Sequence, residues 1–135
     1  MSMTKANTPQ RIKLELEYPL RSSTNILYQY ISNPSGLQSW FADHVEVKQG
    51  KYIFRWDDGT ETHCTILKNI TNKYIRFAVT AAPAADEYLE FRISQDTITD
   101  DVELIITEFV NDGEEEQSAS LWDSAVDSLR QIIGA

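Results

Sequence analysis

The feature that most constrains this chain is the segment from Glu114 to Ile133, taken together with what precedes it. Trp122, Ala125, Val126, Leu129, Ile132 and Ile133 recur at spacings of three and four, the apolar stripe of an amphipathic helix. Glu114, Glu115 and Glu116 fall at its start, where negative charge favours the positive end of the helix dipole. Upstream, apolar and polar residues alternate in several short runs, the mark of half-buried strands. A helix with a single apolar face, arriving after a series of strands, has to bury that face on the sheet they make.

The strands can be placed one by one. From Arg11 to Leu20, Ile12, Leu14, Leu16 and Tyr18 alternate with Lys13, Glu15 and Glu17, and Pro19 is expected to end the run. Ser22, Ser23 and Thr24 offer helix caps ahead of Ile26, Leu27, Tyr30 and Ile31, which predict a short helix. Asn33-Pro34 closes it, and Pro34 suits the first turn of a second short helix whose Leu37, Trp40 and Phe41 share a face. Strands are then predicted at His44 to Gln49, Lys51 to Asp57, Thr60 to Ile70, Tyr74 to Thr80, Glu87 to Ser94 and Val102 to Val110. Gln49-Gly50, Asp57-Asp58-Gly59, Thr71-Asn72-Lys73 and Asp96 to Asp101 connect them as hairpins, with a loop at Ala81 to Ala85. The order β–α–α–β–β–β–β–β–β–α predicts one α+β domain over residues 11–135. Its antiparallel sheet of seven strands wraps the long final helix, and a flexible polar lead-in occupies residues 1–10.

Length and charge narrow the functional classes. A chain of 135 residues is one domain with a real core. Residues 1–85 carry ten Lys/Arg and seven Asp/Glu, whereas residues 86–135 carry two and fourteen. So acidic a second half argues against nucleic acid, whose phosphates are met by Lys and Arg, and against anionic membrane surfaces. It would suit a protein partner with a basic surface, or serve solubility alone. No apolar run approaches the roughly 18 residues of a membrane span, and the first ten residues lack the apolar centre of a secretory signal. Cys64 is the single cysteine, so no internal disulfide is expected and a cytoplasmic setting is the natural one.

Three segments, in this order, are similar to a known branch of proteins. They are Asn33-Pro34-Ser35-Gly36-Leu37-Gln38-Ser39-Trp40-Phe41, then Gly50 to Gly59 with Tyr52, Phe54, Trp56 and the Asp58-Gly59 turn, then Leu121-Trp122 with Leu129. They resemble relatives of the activator of heat-shock protein 90 ATPase, within the START-like (helix-grip, SRPBCC) superfamily. The chain departs from that pattern at Lys51, where a second glycine often stands, and at Thr62-His63-Cys64, where a glycine is usual. The resemblance implies a helix-grip fold. It also implies one of three activities: binding a hydrophobic or amphipathic ligand between the last helix and the sheet, contacting a chaperone, or cyclase or hydratase chemistry.

Candidate site residues follow from this arrangement. Trp40, Phe54, Trp56, Phe77, Phe91 and Trp122 are the aromatic candidates for an apolar cavity wall, each equally suited to plain core packing. Val126 and Leu129 share the face of Trp122. Glu108 lies two and four residues beyond Ile106 and Leu104 on one strand face, so it points with them unless the strand has reached its rim. There it would anchor a ligand's amine or hydroxyl, or act as a base. His44, His63 and Cys64 lack zinc-ligand spacing, and neighbouring His63 and Cys64 point to opposite strand faces, which disfavours a nucleophilic pair. Asp57-Asp58-Gly59 lacks the further ligands of a calcium loop. No catalytic residue, cofactor or metal is expected. The leading expectation is a non-enzymatic domain that holds a small hydrophobic or amphipathic ligand between the last helix and the sheet.

Overall fold

Alternating segments joined by tight turns pair with their sequence neighbours, and this rule builds most of the sheet. The computed structural model describes residues 10–82 and 86–135. Most of the expected lead-in, residues 1–9, and the middle of the expected loop, residues 83–85, lie outside the described residues. The elements are β1 (Arg11–Leu20), α1 (Thr24–Ser32), α2 (Pro34–Trp40), β2 (His44–Lys48), β3 (Lys51–Arg55), β4 (Glu61–Ile70), β5 (Tyr74–Val79), β6 (Tyr88–Gln95), β7 (Val102–Asn111) and α3 (Glu115–Ile133). The seven strands form one antiparallel sheet in the order β1-β7-β6-β5-β4-β3-β2. The predicted α+β architecture is therefore the observed one.

Local chemistry explains the boundaries. The Ser23 hydroxyl accepts a hydrogen bond from the Ile26 N–H at 3.1 Å and caps α1. The Asn33 side chain caps α2 in the same way through Ser35, and Pro34 occupies the first turn, where its missing N–H costs nothing. Gln49 and Gly50 both adopt positive φ, the backbone of a tight hairpin between β2 and β3. Pro19 does not end β1; it stays in register opposite Glu103. β1 is an edge strand with β7 as its one neighbour, and an edge tolerates the lost donor.

The start of α3 is fastened by its own glutamates. No side chain caps its first turn; Glu114 accepts from the Asn111 N–H at 3.1 Å and Glu115 from the Gly113 N–H at 2.6 Å. These carboxylates reach backward and fasten the turn that leads out of β7. Glu115 and Glu116 still stand where the helix dipole favours them.

The core lies between the sheet and the helices. Phe54, Phe77 and Phe91 are fully buried from β3, β5 and β6, with Leu104 and Ile106 from β7. α1 and α2 contribute Leu27, Ile31 and Leu37, and α3 contributes Val126 and Leu129, with Trp122 nearly as deep. Arg55 pairs with Glu46 and Glu61 on the outer side, as its position on the strand predicts.

Gly36 fixes how closely α1 and α2 approach. A Cβ at this position would lie 2.3 Å from the Gln29 carbonyl oxygen and 2.8 Å from the Tyr30 Cα. Both are backbone atoms, so the clash cannot be relieved by a rotamer change. The approach also lets the Trp40 indole donate to the Tyr30 carbonyl at 2.8 Å. Gly36→Ala is therefore expected to destabilise the domain by about 1–3 kcal/mol, the usual cost of overpacking. In urea unfolding this would lower the midpoint with little change in slope.

Candidate functional site

The two halves of α3 meet different surroundings. Its second half presses Val126 and Leu129 into the core. Its first half borders a cavity of about 620 Å³. Among the described residues, Ser118, Leu121, Trp122 and Ala125 line it from α3, Glu108 and Phe109 from β7, and Tyr88 and Leu89 from β6. Trp56, Asp58, Thr60 and Thr62 close it around the turn between β3 and β4. Arg11, Phe41, Val79, Ala81, Ala82 and Glu87 complete the lining.

Trp122 joins the aromatic wall to the polar one. Its ring stacks on Phe41, with centroids 5.2 Å apart and planes 2° from parallel. Phe41 in turn meets Trp56 edge to face at 5.4 Å. The Trp122 indole N–H donates to Glu108 Oε2 at 2.6 Å, and the Ser118 hydroxyl donates to the same oxygen. Ser118 and Trp122 are four residues apart on α3, so both face β7. Among the described residues no donor reaches Oε1 of Glu108.

Of the other charges on the wall, Arg11 and Glu87 are committed to each other, while Asp58 accepts from the Thr60 N–H and hydroxyl. The Arg11 guanidinium grips both oxygens of Glu87, at 2.9 Å from Nε and 2.7 Å from Nη2. It also donates to Asn111 Oδ1 at 2.7 Å and to the Phe109 carbonyl at 3.0 Å. The hydrogen bond to Glu87 raises the Arg11 pKa above its ordinary value, against an opposing effect of burial. Glu87 is 5 % exposed, a depth that a carboxylate tolerates when paired in this bidentate way.

The structure separates the expected site residues into two sets. Trp56, Glu108 and Trp122 line the cavity. Trp40, Phe54, Phe77, Phe91, Val126 and Leu129 do not; they are packed in the core behind it. Phe91, for example, is fully buried and meets Trp40 at 5.6 Å and Trp122 at 5.8 Å between ring centroids. Glu108 is half-buried at the cavity margin, between the inward position and the solvated rim that the strand pattern left open. Sequence reasoning passed over Phe41, Arg11, Glu87 and Ser118. Ser118 was accessible through its four-residue spacing from Trp122. Arg11 and Glu87 are 76 residues apart, and nothing local announces their pairing.

A family model described as a START-like superfamily domain matches residues 8–135. The chain belongs to the START-like superfamily. A Bacteroides fragilis protein solved by NMR in solution is 34 % identical, with 91 % of each chain covered and a TM-score of 0.61. The Aha1 dimer from Colwellia psychrerythraea is 16 % identical, covering 90 % of this chain and 96 % of that one, with a TM-score of 0.72. A Mesorhizobium loti protein is 15 % identical, covering 91 % and 97 %, with a TM-score of 0.70. The last two likenesses concern the fold. A comparison with curated proteins gives no match. At the level of the superfamily, this START-like fold supports a ligand-binding or interaction module. Among the described residues, no helix is long and apolar enough to cross a membrane, and no cluster of three metal-ligating side chains occurs.

Cys64 stands apart from the cavity. It is fully buried, and burial alone pushes its thiol up to about 12. The folded state therefore holds the neutral thiol. Its contribution to stability is complete below the ordinary thiol value of about 8.5 and is lost as pH rises toward the folded value. At about pH 8 Cys64 is expected to resist 5,5′-dithiobis(2-nitrobenzoate) in the native protein and to react fully in urea, because the thiolate is the attacking form. Rapid labelling of the native protein would contradict this.

Proposed function

We propose that this START-like domain binds a small amphipathic molecule in the cavity beside the first half of α3, without transforming it. The observation that carries the reading is the cavity itself. Its volume of about 620 Å³ lies within the roughly 300–1,000 Å³ of small-molecule sites. Its wall combines the rings of Phe41, Trp56, Tyr88, Phe109 and Trp122 with the fixed polar groups of Glu108 and Arg11. Apolar walls with a few placed polar groups are what such sites share. Burying an apolar ligand there would contribute roughly 25 cal/mol per Å², before the costs of ordering it.

A second reading, an interaction module for a basic protein partner, is supported by the exposed face of α3. Leu121 and Ile132 are exposed there, and the second half of the chain, residues 86–135, carries fourteen Asp/Glu against two Arg. The same face borders the cavity through Leu121, so a partner would approach its margin.

Ala125 offers the most direct test, because its small side chain lines the cavity and a larger one there would intrude on that space. Nile red, a neutral apolar dye, is expected to bind the native protein with enhanced emission. Ala125→Phe is expected to weaken that binding by about tenfold, near 1.4 kcal/mol, while circular dichroism and the unfolding midpoint stay close to native. Equal dye affinity in a folded Ala125→Phe protein would place the dye elsewhere and remove the support for this reading.

A further inference from the structure

The cavity is not electrically neutral. Among the described residues, three carboxylates, Asp58, Glu87 and Glu108, line it against one guanidinium, that of Arg11. Four of the five Arg11 N–H groups are already given to Glu87, Asn111 and the Phe109 carbonyl. An incoming anion would therefore find little donor capacity and the carboxylates of Asp58 and Glu108, with Glu87 compensated by Arg11.

Glu108 is the opposite case. Its two protein donors, Ser118 and Trp122, converge on Oε2. Among the described residues Oε1 receives none, although the residue lines the cavity. A carboxylate can accept about four hydrogen bonds, so half of this group is left for a donor that enters the cavity. The donor best matched to it is a cation, since charge-assisted hydrogen bonds are the strong ones. The surrounding rings favour the same charge. Half-buried Trp56 lines the cavity, and the face of an indole attracts a cation rather than an anion.

We propose that the ligand is an amphipathic amine: its ammonium group donates to Glu108 Oε1, and its apolar body lies along Phe41, Trp56, Leu121 and Ala125. This rests on the reading of the cavity as a ligand site and adds the charge of its occupant. Ser118 and Trp122 act as positioning residues, since they hold one carboxylate oxygen and so orient the other.

The test uses the whole chain and three probes of equal length: decylamine, decanol and decanoate, each below its micelle concentration. Binding is measured by isothermal titration calorimetry. Decylamine is expected to bind native protein at least about tenfold more tightly than decanoate. Glu108→Gln keeps the size of the side chain and an oxygen for Ser118 and Trp122, and it should abolish this preference while decanol binding changes little. Glu15→Gln removes an exposed charge from β1 outside the cavity lining and should leave the preference intact, which separates a local anchor from the acidity of the whole chain. Decanol or decanoate binding as tightly as decylamine would overturn the amine inference and leave the cavity reading standing. A preference that survives Glu108→Gln, or that Glu15→Gln reduces equally, would overturn it as well. Failure of all three probes to bind would overturn both readings.

Discussion

The structure depends on how the first half of α3 is held to the sheet, and the contact that holds it is the Trp122 side chain. One ring serves two purposes. Its face lies on Phe41 and it meets Phe91 in a T-shaped contact, joining the helix to the aromatic core. Its N–H, which would cost free energy if buried without a partner, is spent on Glu108 at the end of β7. Helix and sheet are thus fixed by an apolar contact and a directional one made by the same residue. Tyr18 adds a second tie at another point, donating its hydroxyl to Asp123 at 2.6 Å. Between these ties α3 is anchored along one line while the space beside Ser118 and Ala125 stays open.

The fold was legible in the sequence because its signals are local and repeat. Strand alternation, the Ser23 and Asn33 caps and the Gln49-Gly50 turn each act within a few residues, and together they leave few topologies. Pro19 was misjudged for a tertiary reason: whether proline ends a strand depends on whether that strand lies at an edge, which one segment does not reveal. The glutamates at the head of α3 were placed correctly, but their partners lie behind them in the turn from β7.

The site was less legible. Periodicity says which face of an element is apolar, yet it does not say how deep along that face the neighbours reach. Phe54, Phe77 and Phe91 look the same as Trp56 in pattern, but the sheet brings the first three together under α1, α2 and α3, and Trp56 sits where β3 has ended. The Arg11–Glu87 pair was invisible because it depends on β1 and the start of β6 converging near the same end of β7. The place of Glu108 on the cavity lining is legible from strand alternation alone, which carries it two residues beyond Ile106 on the same face.

One feature of the sheet bears on how the chain reaches this state. Every strand pair but one joins sequence neighbours; β1 and β7 alone pair across most of the chain. During synthesis β2 to β6 can zip successively as they emerge, whereas β1 has no partner until β7 has been made. The cavity needs β1, β7 and α3 at once, so it is the last part of the molecule to come into being. An interrupted or slowly finished chain would expose the apolar side of β1 as an unpaired edge, and it is in that interval that such a chain is most open to chaperones or to aggregation.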